Sequence, residues 1–429
     1  MTPQCQAHVN PQVICATLHP QHPHVGYHGR RMNHQPDTSR ASVRSPLVVA
    51  CAIGAAVAGL TIGGLGPVLP AIHERYHVPL ADLGVLFGAN FIASLAATIV
   101  IGPLLDRYQP RLFLFSGLGM VLAGLALFSL ATTLPVVIVA AALTGLGGGV
   151  NALGSAVLVS RALGTRAGRA LSLVNMAFGL GAFVGPLAVA ALIASTHQYR
   201  PYFIAIAVLL LLPAAIFARA PLPCPPARGA DEHGVLSGSE RIAVGLLALV
   251  AFCYLGAEIG FGGWIYSFVL QTGTTSTTIA SWVPAAYWLA LGLSSLGAAL
   301  RPRSWRGDYV VLCAAVGASS MALVVLAGRS SIGVEIAAAA GIGLALGPIY
   351  PLSLAAATLI APAAAGRASA VVIASSQVGG ALLPWLQGRL LARGPLWGLG
   401  LTLAVCLAMA TMQAGLIGVL RSRSDPPRR

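Results

Sequence analysis

Twelve times along this chain, an apolar stretch long enough to cross a lipid bilayer recurs with almost no charge inside it, and nothing else in the sequence constrains the fold so tightly. A hydrocarbon core of about 30 Å needs about 20 consecutive apolar residues in helical form. The approximate cores are 46–72, 80–105, 112–131, 134–160, 170–194, 201–218, 242–270, 277–300, 308–328, 332–361, 368–390 and 395–420. With 57% hydrophobic and 8% charged residues, the chain could not face water without large apolar patches. Backbone groups in lipid must be satisfied internally, which leaves helices or closed barrels. The alternating segments of about ten residues that a barrel requires are absent. The expected fold is therefore an all-α polytopic membrane protein. Glycine and proline inside its spans are tolerable because neighbouring helices satisfy the freed backbone.

A net charge of +14 raises the possibility of nucleic-acid binding, but the placement of the charges speaks for topology. All 25 basic residues are arginine. If the N-terminus is inside, twenty lie on that side, and only Arg75, Arg200, Arg329, Arg389 and Arg393 lie on the other. That asymmetry follows the positive-inside rule and predicts cytoplasmic termini and a cytoplasmic central loop, as in a multi-pass protein of the plasma (inner) membrane. No nucleic-acid partner is expected. Membrane lipids are.

Residues 1–44 are polar and hold six of the ten histidines. No apolar core precedes Ser45, so a cleaved signal peptide is not expected, and the composition predicts a disordered cytoplasmic tail. Met32 is an alternative start. Cys5, Cys15, His19, His22, His24 and His28 raise a metal reading, but their spacing matches no closed zinc site. The other cysteines, Cys51, Cys224, Cys253, Cys313 and Cys406, suggest no disulfide framework.

Internal repetition comes next. An offset of 197 residues separates Gly59 from Gly256 and also Gly66 from Gly263. Gly145 and Gly147 of span four return as Gly341 and Gly343 of span ten, and Gly181 precedes Pro186 as Gly379 precedes Pro384. These matches predict a six-plus-six duplication, with bundles over 45–220 and 241–421, a proline-rich cytoplasmic linker over 221–240 and a short tail at 422–429. Two repeated helical halves with a site near the midplane are a recurrent transporter plan.

At the exit from span two stands Gly102-Pro103-Leu104-Leu105-Asp106-Arg107-Tyr108-Gln109-Pro110-Arg111. It resembles the cytoplasmic loop signature of the Major Facilitator Superfamily, which implies that fold and an alternating-access carrier. Asp106 would face the positive end of a helix from the other half, near Gly366, while Arg107 and Arg111 meet carbonyls or lipid phosphates, latching the inner gate. Ordinary topogenic charge is the alternative reading. Gly64 to Pro70, Tyr254 to Trp264, Tyr287-Trp288, Gly347 to Pro351 and Leu383-Pro384-Trp385 resemble the fucose permease-like sugar branch. That branch implies a monosaccharide cargo, often coupled to a proton or sodium. The chain departs from it where Thr61 replaces a coupling carboxylate in span one, where span four lacks an acid, and where Ser294-Ser295 replace Gly-Arg.

Glu258 is the only carboxylate near the middle of any apolar span, and a charge there reads by default as functional. A structural role would need a cationic partner, and no arginine lies deep in a span. Glu258 could carry a coupling proton, neutral in a dry cavity and ionised in a wet one. Sugar hydroxyls are bound by amides and carboxylates, with aromatic faces against the ring. Asn90 and Ser94, Asn151 and Ser155, and Tyr254 and Glu258 each share a helical face. Asn175 and Gln377 add amides, and Trp264, Tyr287, Trp288 and Tyr350 add rings. Each has a structural alternative: intramembrane amides join helices, and tryptophans near span ends anchor at the interface.

The expected function is secondary transport of a small polar solute, most simply a monosaccharide, with H⁺ or Na⁺ as candidate coupling ion and no other cofactor. Proton-coupled drug or metabolite export is the nearest rival, supported by Gly181 with Gly185-Pro186, part of an antiporter signature. A receptor would want an extra cytoplasmic domain. An enzyme would want a nucleophile-base or metal constellation at membrane depth, and none is legible.

Overall fold

The computed structural model describes residues 45–101, 104, 110–164, 167–220, 236–272, 276–300, 306–327 and 331–424. The histidine-rich tail, most of the linker, Asp106 and Arg107 of the loop signature, and Arg301 and Arg303 lie outside them. Among the described residues the secondary structure is helical, without a strand, and twelve segments are long and apolar enough to cross a membrane. They coincide with the twelve apolar cores.

The helices are α1 (Pro46–Tyr76), α2 (Val85–Ile101), α3 (Pro110–Leu130), α4 (Leu134–Leu163), α5 (Ala167–Thr196), α6 (Arg200–Arg219) and α7 (Gly238–Gln271). They continue as α8 (Thr277–Ala280), α9 (Trp282–Leu300), α10 (Gly307–Ala327), α11 (Ile332–Leu346), α12 (Ile349–Ile360), α13 (Ala365–Leu391) and α14 (Pro395–Ser424). A short 3₁₀ segment, Leu80–Gly84, leads into α2.

Local chemistry sets the ends. Ser45 caps α1 by accepting from the Val48 amide, with Pro46 at the first helical position, where its missing N–H costs nothing. At the far end His77 turns the chain in the left-handed region. α7 opens on a reciprocal cap: Ser237 N donates to Glu240 Oε2 at 2.7 Å, and Glu240 N donates to Ser237 Oγ at 3.4 Å.

Two spans are broken, which hydropathy alone did not foresee. Span ten divides into α11 and α12 at Gly347-Pro348, where proline lacks the amide needed to continue the ladder. A neighbouring hydroxyl takes up the carbonyl that Pro351 cannot reach: Ser295 Oγ donates to Gly347 O at 2.9 Å, while Ser294 Oγ is a second donor, at 3.3 Å, to Gly343 O, which already accepts from Gly347 N. Span eight divides into α8 and α9 at Ser281, whose hydroxyl donates to Thr278 O at 2.7 Å.

Packing follows the glycines. α1 lies along α5, and α7 lies along α13. The two contacts repeat in detail, since a methyl group on Gly181 would overlap the Ala56 carbonyl and one on Gly379 would overlap the Phe252 carbonyl. Likewise α4 packs on α2 as α11 packs on α9. Contacts between the first six spans and the last six run through α5 with α9, α2 with α13 and α1 with α7. Outward faces carry large apolar side chains such as Leu112, Leu130, Val208 and Leu359, suited to lipid rather than water.

One end of the helix array is closed by main chain and side chain together. Gly66 and Gly263 bring α1 and α7 so close that a Cβ on Gly66 would meet the Gly263 carbonyl. Trp264 Nε1 donates to Pro384 O at 2.7 Å, and Arg389 of α13 pairs with Asp82 at 3.1 Å while lying over the Trp385 ring. Nearby, Tyr76 donates to Ala131 O at 3.0 Å and shares a 3.1 Å hydrogen bond with Tyr199. Burial pushes the Tyr199 phenol far up, so it keeps its proton.

Candidate functional site

A cavity of about 360 Å³ lies among α1 to α7 and α13. Its lining runs from Glu258, halfway along α7, to Ala50, Ala156, Leu171 and Phe217. Those last four stand near the start of α1, the end of α4, the start of α5 and the end of α6, all at one end of the array. The closed end, with Gly66 and Gly263, lies opposite.

Glu258 borders this cavity, with only 6% of its surface exposed. One helical turn before it on α7, Tyr254 shares its face of the helix. From α9, Tyr287 donates to the Glu258 backbone carbonyl at 3.1 Å. Tyr350 of α12 stacks on Tyr254 with ring centres 5.6 Å apart. A layer of tyrosines thus packs around this turn of α7, and Glu258 itself borders the cavity. Among the described residues no arginine stands in the lining.

Of the ten side chains the sequence suggested for binding, Asn90, Asn151, Asn175, Glu258 and Gln377 line the cavity together. They do not contribute alike. Asn90 is spent on the fold: its Nδ2 donates to Ala141 O at 3.1 Å and Thr144 Oγ1 at 3.2 Å, tying α2 to α4. Asn151 keeps capacity, because its Oδ1 is buried and accepts no hydrogen bond among the described residues. Asn175 is exposed near the open end. Gln377 donates to Ser94 Oγ at 3.0 Å, leaving its carbonyl oxygen as an acceptor.

The other five, Tyr254, Trp264, Tyr287, Trp288 and Tyr350, are not in the lining. Tyr254, Tyr287 and Tyr350 form the layer behind Glu258. Trp264 is 1% exposed and packs in the closed end against Phe87, its indole nitrogen bonded to Pro384. It is neither an interfacial anchor nor a cavity ring. Trp288 is wholly buried against Gly262 and Phe178. The rings that do reach the cavity are phenylalanines, Phe91, Phe178 and Phe217.

Sequence reasoning did not single out Cys51 and Thr144, which the cavity includes; no motif marks them. Ser94 and Ser155, paired in the sequence with Asn90 and Asn151, line it as well, as does Thr61, noted there in place of a coupling carboxylate. Of the residues suggested for gating, Asp106 and Arg107 lie outside the described residues. Arg111 donates from Nη2 to Ala220 O at 3.0 Å, closing the C-terminus of α6 from the start of α3. That bond joins two helices of the first six.

A sequence model described as the Major Facilitator Superfamily matches residues 51–384. The glucose/mannose transporter GlcP of Bacillus subtilis (strain 168) is 23% identical over 382 residues, covering 84% of this chain and 92% of that protein. The multidrug efflux protein YfmO of the same organism is 26% identical over 359 residues, 80% of this chain and 86% of its own. The sodium-dependent glucose transporter 1A of Mus musculus is 22% identical over 266 residues, 54% and 63% respectively.

Proposed function

The chain belongs to the Major Facilitator Superfamily and is a multi-pass membrane transporter; from that premise we propose that it carries a small polar solute, a monosaccharide first among them, by alternating access. The observation that carries this reading is the convergence of Asn151, Gln377 and Glu258 near mid-helix, with Asn175 nearer the open end, on one cavity of about 360 Å³. Few polar groups in an otherwise apolar cavity are what fixes a hydroxylated ligand. The similarity to GlcP supports the same cargo class.

Two halves, 45–220 and 241–421, rock about that site in this reading, joined by a cytoplasmic linker at 221–240. The repeated α1–α5 and α7–α13 contacts support the duplication. The charge asymmetry supports cytoplasmic termini at the plasma membrane, so that the cavity opens inward. Glu258 takes up and releases the coupling proton as the cavity dries and wets, or holds sodium. Asp106, with Arg107 and Arg111, biases the inner gate.

A second reading, proton-coupled export of an apolar metabolite or drug, is favoured by one specific observation. The hydrogen-bonding rings lie outside the cavity, and alanine, glycine, valine, leucine and phenylalanine make up most of its wall. The likeness to YfmO agrees.

Both readings meet the same experiment, thermal unfolding of the purified protein against a monosaccharide panel and a panel of lipophilic cations. A ligand that binds the folded state raises the melting temperature by mass action. Stabilisation by a sugar together with its uptake into proteoliposomes supports the first reading; stabilisation only by lipophilic cations replaces it with the second.

A further inference from the structure

Between residues 145 and 149, α4 carries glycines of two kinds. Gly145, Gly147 and Gly149 are held by packing, because a Cβ on each would collide with Asn90 O, Gly117 O and Ser94 O respectively. Helix backbones that approach so closely leave no room for a side chain. Gly148 is different: no described atom stands within 4 Å of the place its Cβ would take. Gly54 of α1 is open in the same way, and both glycines line the central cavity.

Glycine inside a helix costs stability relative to alanine, since it loses more backbone freedom on folding. At Gly145, Gly147 and Gly149 that cost is offset by close contact with α2 and α3. At Gly148 no contact with the described protein uses the space. Open glycines also occur on outward faces, such as Gly415 of α14, where lipid fills the gap. Inside the cavity the space belongs to water or cargo.

The position of Gly148 gives that space a use. It stands at the midpoint of α4, on the helical face that brings Thr144, Asn151 and Ala152 to the cavity. Asn151 lies one turn on, its buried Oδ1 accepting no hydrogen bond among the described residues. Glu258 and Gln377 border the same cavity from α7 and α13. Glycine is the residue that lets a ligand approach the backbone closely. With an amide beside the bare patch, the apolar face of a ring can lie against α4 while a polar group at its edge meets Asn151.

We propose, resting on the carrier reading of this cavity, that Gly148 is a specificity-determining residue: cargo packs directly on the α4 backbone there, and the missing side chain sets the largest ring accepted.

The test uses the purified full chain, with binding read by thermal unfolding and transport by proteoliposome uptake. Each panel supplies a smaller and a larger probe, D-xylose with D-glucose and tetraethylammonium with tetraphenylphosphonium. Gly148→Ala should melt no lower than the wild type, because its Cβ meets nothing. Binding of the larger probe should fall about threefold in Gly148→Ala and about tenfold or more in Gly148→Leu, the scale of overfilling a packed site. The smaller probe should lose less in both. Gly415→Leu adds the same bulk to an outward face and should change neither probe.

Asn151→Ala separates this proposal from the reading beneath it. If Asn151→Ala weakens binding while Gly148→Leu leaves the ratio of the two probes at its wild-type value, the cavity holds cargo but Gly148 does not select it, and this proposal alone is overturned. If neither substitution affects either probe, or neither panel stabilises the wild type, the carrier reading falls and this proposal with it. Loss of uptake in Gly148→Ala with both probes still bound would assign the glycine to helix flexibility, which also overturns it.

Discussion

Gln377 on α13 donates to Ser94 on α2 across 3.0 Å, a direct side-chain hydrogen bond between the first six spans and the last six on the wall of the central cavity. A bond in that place must break when the two helices separate. In a double-mutant cycle, Ser94→Ala and Gln377→Ala should show a coupling of about 0.5–1.5 kcal/mol in thermal stability. Additive effects would mean the two side chains do not hold the helices together.

Glu258→Gln preserves shape and removes the charge. The fold should persist, with melting little changed, while gradient-driven accumulation of substrate is lost and equilibrium exchange survives. Proteoliposome counterflow beside concentrative uptake separates the two. Unaltered accumulation would take Glu258 out of coupling.

Trp264→Phe tests whether that ring serves the cargo or the closed end. Its indole nitrogen bonds Pro384 O in a buried setting, so the substitution should cost about 1–3 kcal/mol of stability. Substrate affinity should stay within about twofold, because the ring is outside the cavity. A selective loss of affinity at constant stability would return Trp264 to the binding site.

At the closed end, backbone contact and surface charge should weigh differently. Gly66→Val forces a side chain against the Gly263 carbonyl and should cost about 1–3 kcal/mol or hold that end open, as seen by cysteine labelling from that side. Arg389→Gln removes an ion pair whose side chains are 54% and 43% exposed, so its effect should stay within about 0–1 kcal/mol and fade with salt.

Asp106→Asn, a prediction resting on the loop signature alone, should leave substrate affinity within about tenfold and slow turnover, since a group that biases conformations need not touch ligand. Collapse of affinity would end the latch interpretation.

The twelve spans were legible because bilayer thickness sets a length that apolar composition either meets or fails. Glycine recurrence was legible for a related reason: where two helix backbones touch, only glycine fits, and the repeated contacts of Gly181 and Gly379 are the outcome. The facing of rings was not. Along α7 nearly every residue from Gly256 to Val269 is buried, so no polar side of the helix distinguishes cavity from seam. Helical spacing put Tyr254 and Glu258 together correctly but could not tell that Tyr350 would stack behind them. Asn90 and Asn151 looked equivalent in sequence; only the position of α4's Thr144 and Ala141 commits the first to the fold.

The crossing of Gly66 over Gly263 sets how the sealed end can part. A bulky side chain acts as a plug that swings aside by a rotamer change within nanoseconds, whereas two main chains in contact have nothing to swing. Opening there requires whole helices to tilt, a slower collective event. At that contact stray water or ions find no fast side-chain fluctuation to slip through, and leak-tightness there is inherited from the polypeptide itself.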